Sequence, residues 1–122
     1  MKKLILICGL LTSGFSFGAD WVAIDKSYGS ESQLDISSIK KLPNNKRLIW
    51  HRSITKPEDA KYVYLTLRSE IDCLRETLQN EELFIDIDDE KISQTRVENP
   101  KPFSPPPGSS GQKIIHAACK AP

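Results

Sequence analysis

The stretch Lys61-Tyr62-Val63-Tyr64-Leu65-Thr66-Leu67-Arg68-Ser69-Glu70-Ile71-Asp72-Cys73 decides the fold. Val63, Leu65, Leu67, Ile71 and Cys73 fall on one side at a period of two, and Tyr62, Tyr64, Thr66, Arg68, Glu70 and Asp72 fall on the other. Successive strand residues point to opposite faces, so this alternation predicts a strand with one covered and one wet face, as in an antiparallel sheet. It places the Cys73 sulfur on the covered side.

Outward from this stretch, further strands are expected at Trp21 to Asp25, Gln33 to Ile36, Arg47 to Thr55, Arg75 to Gln79 and Leu83 to Ile87. Turn-rich stretches such as Tyr28-Gly29-Ser30 and Pro43-Asn44-Asn45 separate them. Leu48, Trp50 and Ile54 share one face of their strand, and Leu83, Ile85 and Ile87 share one face of theirs. The apolar parity changes between Cys73 and Leu74, which predicts a bulge, a bend or a strand end near the cysteine. Five or six short strands in succession read as a meander.

Asn99 to Pro107 holds five prolines and cannot enter the interior of a sheet, because proline has no amide to donate. It is expected to cross the surface in extended form. Ser109 and Gln112 then stand at capping-box spacing ahead of an apolar run, so a helix is expected over 109–120. Ile115 and Cys119 lie on one face of it, beside Ile114, Ala117 and Ala118, while Gln112, Lys113, His116 and Lys120 turn mainly to solvent. A helix this short is not stable alone and must dock on the sheet.

The chain opens with Lys2 and Lys3, an apolar run from Leu4 to Leu11, and small residues at Ser16, Gly18 and Ala19 before Asp20. That is the pattern of a cleaved export signal over residues 1–19, and the run is shorter than the roughly 18 to 20 residues a membrane span needs. Cys8 follows the bulky Ile5-Leu6-Ile7 rather than a small residue, so it is read as part of the leader and not as a lipid attachment site. What remains, residues 20–122, is one domain of ordinary size. Loss of Lys2 and Lys3 turns the formal charge of +1 into −1, a balance that gives no footprint for nucleic acid or an anionic membrane. Cys73 and Cys119 are then the only cysteines, and in an oxidising compartment they are expected to pair. Closing a loop of this length is worth about 4 kcal/mol.

Candidate chemistry is sparse. His51, opposite Trp50 on its strand, and His116, on the polar side of the helix, are expected to be solvent-exposed scaffold residues, and no nucleophile and base pair is apparent. Asp86, Asp88, Asp89 and Glu90 lack the glycine and distal glutamate of a calcium loop and read as a solvated turn, so no metal is expected. Gly108-Ser109-Ser110-Gly111 lacks the strand and lysine of a phosphate loop, and no cofactor is expected. The stronger candidate is a protein-binding face carrying Tyr62, Tyr64, Arg68 and Arg52, since tyrosine and arginine combine apolar area with directed hydrogen bonds.

Taken together, Asp20-Trp21-Val22 directly after the leader, Leu34-Asp35-Ile36-Ser37-Ser38-Ile39, Arg47 to Arg52 with Trp50, Ile71-Asp72-Cys73, Pro106-Pro107-Gly108-Ser109 and the terminal Cys119 resemble the surface-adhesin E family of small exported bacterial domains. The resemblance implies an α+β fold: a bent antiparallel sheet of about six strands with a C-terminal helix tied to one face by a disulfide. It further implies a non-enzymatic binding protein in the periplasm or at the surface of a Gram-negative bacterium, contacting host matrix or envelope proteins. The alternative expectation is a structural component of a periplasmic envelope complex with no host ligand. Neither carries nucleic-acid binding or stable membrane insertion, and an exposed strand edge is compatible with a homodimer.

Overall fold

The computed structural model describes residues 19–27, 29–56, 61–88 and 90–122, so residues 1–18 of the expected leader, Tyr28 of the first turn and Asp89 of the acidic run lie outside the described residues. The elements, in chain order, are β1 (Trp21–Ser27), β2 (Ser30–Asp35), a 3-10 turn (Ile36–Ser38), β3 (Lys40–Leu42), β4 (Lys46–Thr55), β5 (Val63–Asp72), β6 (Thr77–Ile87), β7 (Glu90–Arg96) and α1 (Ser110–Lys120). All strand pairs are antiparallel, in the order β1-β2-β4-β5-β6-β7, and β3 pairs with β4 beside β2. The sheet is open, has seven strands, and carries one helix on one face. The α+β expectation holds, with one more strand than the six foreseen.

That extra strand has a local cause. β2 and β3 lie on the same edge of β4, Leu34 opposite His51 and Lys40 opposite Leu48, so they are one strand interrupted at Ile36–Ser38. Asp35 makes the interruption, because its carboxylate accepts from the Ser37 amide, the Ser37 hydroxyl and the Asp20 amide. A short acid bonding its neighbouring backbone competes with the sheet ladder. At the next hairpin Asn44 and Asn45 take φ of 64° and 59°, a region asparagine tolerates better than most residues.

β6 corrects the expectation of two strands at Arg75 to Gln79 and Leu83 to Ile87. It is a single strand in which Arg68 faces Glu82 but Ser69 faces Asn80, leaving Glu81 as a bulge. The extra residue resets parity, so Leu78 and the Leu83, Ile85, Ile87 series reach the same face. β7, not foreseen as a strand, is the edge beyond it, and of the acidic run Asp86 lies in β6, Asp88 in the turn and Glu90 at the start of β7. Residues 97–109 then follow the edge, joined to β6 where Phe103 and Leu78 exchange both backbone hydrogen bonds.

α1 begins as its sequence dictates. The Ser109 hydroxyl accepts from the Gln112 amide at 3.3 Å, and the Gln112 side chain accepts from the Gly108 amide at 2.7 Å. Gly111 is required by packing, since a Cβ there would lie 2.9 Å from the Pro105 ring. Ile114, Ile115 and Ala118 are buried against Leu34, Ile49, Ile71 and Leu78, and these seven residues form the core. The disulfide between Cys73 and Cys119 fixes the far end of the helix, and Asp25 of β1 fixes the near end by accepting from Ser110 and Lys113. The Ser110 bond, then Lys113, holds the Asp25 carboxyl below its ordinary value. Beyond the helix, Val63, Leu65, Leu67, Leu83, Ile85 and Ile87 continue the covered face as half-buried side chains outside the core.

Candidate functional site

Cross-strand partners share a face, so the β4–β5 register assigns each strand residue to the helix side or the open side. Ile49 opposes Ser69 and Arg47 opposes Ile71 on the helix side. Leu48, Trp50, Arg52 and Ile54 oppose Glu70, Arg68, Thr66 and Tyr64 on the open side. Leu48, Trp50 and Ile54 do share a face, and it is the one carrying Tyr64 and Arg68.

This overturns the expectation for His51. It points to the helix side, where its Nε2 lies 2.8 Å from the Ser69 hydroxyl, which donates in turn to Asn80 Oδ1 at 2.8 Å. With the Ser69 hydrogen given to Asn80, His51 Nε2 is the donor to Ser69. Burial pushes the His51 imidazole down to about 4, so it is neutral at ordinary pH. A serine and a histidine do therefore meet, a pair the sequence reading did not find. Ser69 has no exposed surface and its hydroxyl hydrogen is directed away from the imidazole, so the pair organises the interior and offers no nucleophile to solvent. His116 is exposed on α1, with Nε2 2.8 Å from Glu76 Oε1.

On the open face the predicted residues separate into two kinds. Arg52 lies 4.2 Å from the Trp21 ring and 5.4 Å from the Tyr64 ring, and its Nε donates to Gln33 Oε1 at 2.7 Å. A guanidinium between two aromatic faces gains cation–π attraction from both. Burial draws the Arg52 pKa downward, opposed by Tyr64, Glu31 and Asp35. Tyr62 stands 6.4 Å from Tyr64 and carries Lys56 above its ring at 5.1 Å. These side chains border a cleft of about 730 Å³ whose floor includes Ile54. Arg68 belongs to the second kind: it is ion-paired with Glu82 at 2.6 Å, and its contribution is to hold β5 against β6.

Three aromatic members of the face were missed as site residues. Trp21 supplies one wall of the Arg52 sandwich, while Trp50 and Phe84 stand 5.7 Å apart with Lys91 at 5.2 Å from the Phe84 ring. A usable signal existed for Trp50, because it has the same parity as Arg52.

Among the described residues no cluster of three or more His, Cys, Asp or Glu is placed to hold a metal ion, and no helix is long and apolar enough to cross a membrane. What the open face can do is grip planar, cationic or apolar groups of another molecule by stacking and directed hydrogen bonds. No family model, curated protein or solved structure matches this chain.

Proposed function

We propose that the protein is an exported, non-enzymatic binding module that engages a protein partner, of the host matrix or of the bacterial envelope, through the open face of its sheet. The observation that carries this reading is the Arg52 guanidinium held between Trp21 and Tyr64, on three different strands and on the face the helix leaves free. Tryptophan, tyrosine and arginine are the residues in which binding energy concentrates at protein interfaces. Preorganising an arginine lowers the entropy lost when it makes its contacts. The test is capture from matrix and envelope extracts by the native protein and by a Trp21→Ala, Arg52→Ala, Tyr64→Ala variant with unchanged circular dichroism. A partner held by the first and lost by the second is expected. Equal capture by both would place the binding surface elsewhere.

A second reading, packing within an envelope complex, is favoured by Val63, Leu65, Leu67, Leu83, Ile85 and Ile87, an aliphatic extension of the covered face that α1 does not bury. It predicts a Leu65→Lys variant that is released from its complex while the Arg52 variants stay bound.

A further inference from the structure

We propose that the end of the sheet where the β3–β4 and β5–β6 turns meet is a docking surface for a phospholipid bilayer rich in anionic headgroups. The fold builds this end from four segments distant in sequence. The Cys73 amide donates to the Asn45 carbonyl at 3.1 Å, tying the two turns together. The disulfide brings the last turn of α1 beside them, and the Phe103–Leu78 bridge brings the proline-rich segment. Lys40, Lys41, Lys46, Arg75, Lys101 and Lys120 are thereby gathered at one end. Among the described residues none of the six forms an ion pair. Of the neighbouring acids, Asp72 is occupied by the Leu74 and Arg75 amides and Glu76 by His116. Glu70 lies on the open face in the row of Lys40, through Leu48, and Asp72 stands opposite Lys46, so the six cations outnumber the acids among them without excluding them.

Two large apolar side chains project from the same end: Leu74 at the tip of the β5–β6 turn is 75% exposed and Phe103 is 49% exposed. Cations around protruding apolar tips match a lipid interface, where the charges meet headgroup phosphates and the tips enter the boundary of the acyl region. A nucleic acid or an anionic polysaccharide would satisfy the charges but offers no apolar layer to Leu74 and Phe103, which is why the bilayer is the occupant chosen. At the opposite end of the sheet acids and cations are matched, with Lys61 4.0 Å from Asp88 and Lys91 opposite Asp86 in the β6–β7 register. An anionic surface would therefore meet the chain at the end where cations are in excess.

Sedimentation with vesicles of phosphatidylglycerol and phosphatidylcholine, against phosphatidylcholine alone, tests the proposal. The protein is expected to sediment with the anionic vesicles only and to be released by about 0.5 M NaCl, because screening weakens exposed charge contacts. Lys40→Glu, Lys41→Glu, Lys101→Glu together should lower the apparent affinity by roughly tenfold or more. Leu74→Ser should lower it severalfold without changing the salt dependence, and Trp21→Ala with Arg52→Ala should leave it unchanged. The proposal is overturned by equal sedimentation with both vesicle types, or by a charge-reversed variant that binds like the native protein. It is also overturned if Leu74→Ser binds undiminished while heparin displaces the protein, which marks an anionic-polymer site. Release by inorganic phosphate at constant ionic strength, which marks a discrete anion site, overturns it as well.

Discussion

Ile49 and Trp50 are neighbours in the chain and lie on opposite faces of the same strand, and the difference between them separates the stabilising core from the face proposed for binding. Ile49 is fully buried under α1, within an apolar cluster that Ile24, Ile36 and Ile39 flank as partly buried neighbours. Trp50 lies on the side without a helix, beside Phe84 and in line with Arg52. One face spends its apolar area inside the molecule, and the other keeps aromatic and cationic groups at the surface, ordered by their own contacts. The proposed binding role needs both, since a rigid interior is what holds the surface groups in register.

The contrast breaks most completely if the staple is removed. Cys73→Ser with Cys119→Ser should lower unfolding free energy by about 4 kcal/mol, read by denaturant titration of oxidised native protein and the variant. At the level of single residues, Ile49→Ala should cost about 3 kcal/mol through the cavity it leaves, whereas Trp50→Ala, though it removes the larger side chain, should cost about 1 kcal/mol. Reversed ranking of these two values would mean that the faces have been assigned the wrong way round.

Acid sharpens the comparison because its main sensor lies on one face only. His51 has its pKa lowered from 6.5 to about 4 in the folded protein, so the folded state prefers the neutral imidazole. Its contribution is fully present above pH 6.5 and is lost as pH falls toward 4. Between neutrality and pH 5 that loss is on the order of 2 kcal/mol. Melting temperatures should fall across this window for the native protein and much less for His51→Gln, whose amide can still donate to Ser69. Smaller again, Gly111→Ala should destabilise by about 1 kcal/mol despite the better helix propensity of alanine, because its methyl meets the Pro105 ring. Smallest in stability is Arg52→Ala, with about 1 kcal/mol or less in the melt, since a half-buried cation–π contact contributes modestly to folding. On the proposed function its larger effect is expected in partner capture.

Much of this architecture could be read in the residues. The alternation from Val63 to Cys73, the capping pair Ser109 and Gln112, and the prolines at 100–107 each act through local backbone chemistry, and the structure places a strand, a helix start and an edge-following segment where they stand. The failures share a different cause. A period of two says which residues lie together and not which of the two sides is covered, and β4 carries bulky groups at Ile49, Trp50 and His51 in succession. The apolar majority at Leu48, Trp50 and Ile54 pointed to the wrong side. The bulge at Glu81 made one strand read as two, because an inserted residue flips parity as a strand end does. β7 gave little signal, since an edge strand exposed on both sides has no apolar alternation to display.

Local chemistry along the chain therefore determined the strands' alternation, the helix and its cap, and the two cysteines available to join them, because each depends on residues within a few positions of one another. Only the tertiary structure decided which side of β4 meets the helix, that Arg52 stands between Trp21 and Tyr64, and that Lys46 of one turn and Arg75 of another border the same cleft. Those outcomes rest on pairings between segments far apart in sequence, where register and docking, not composition, set which groups become neighbours.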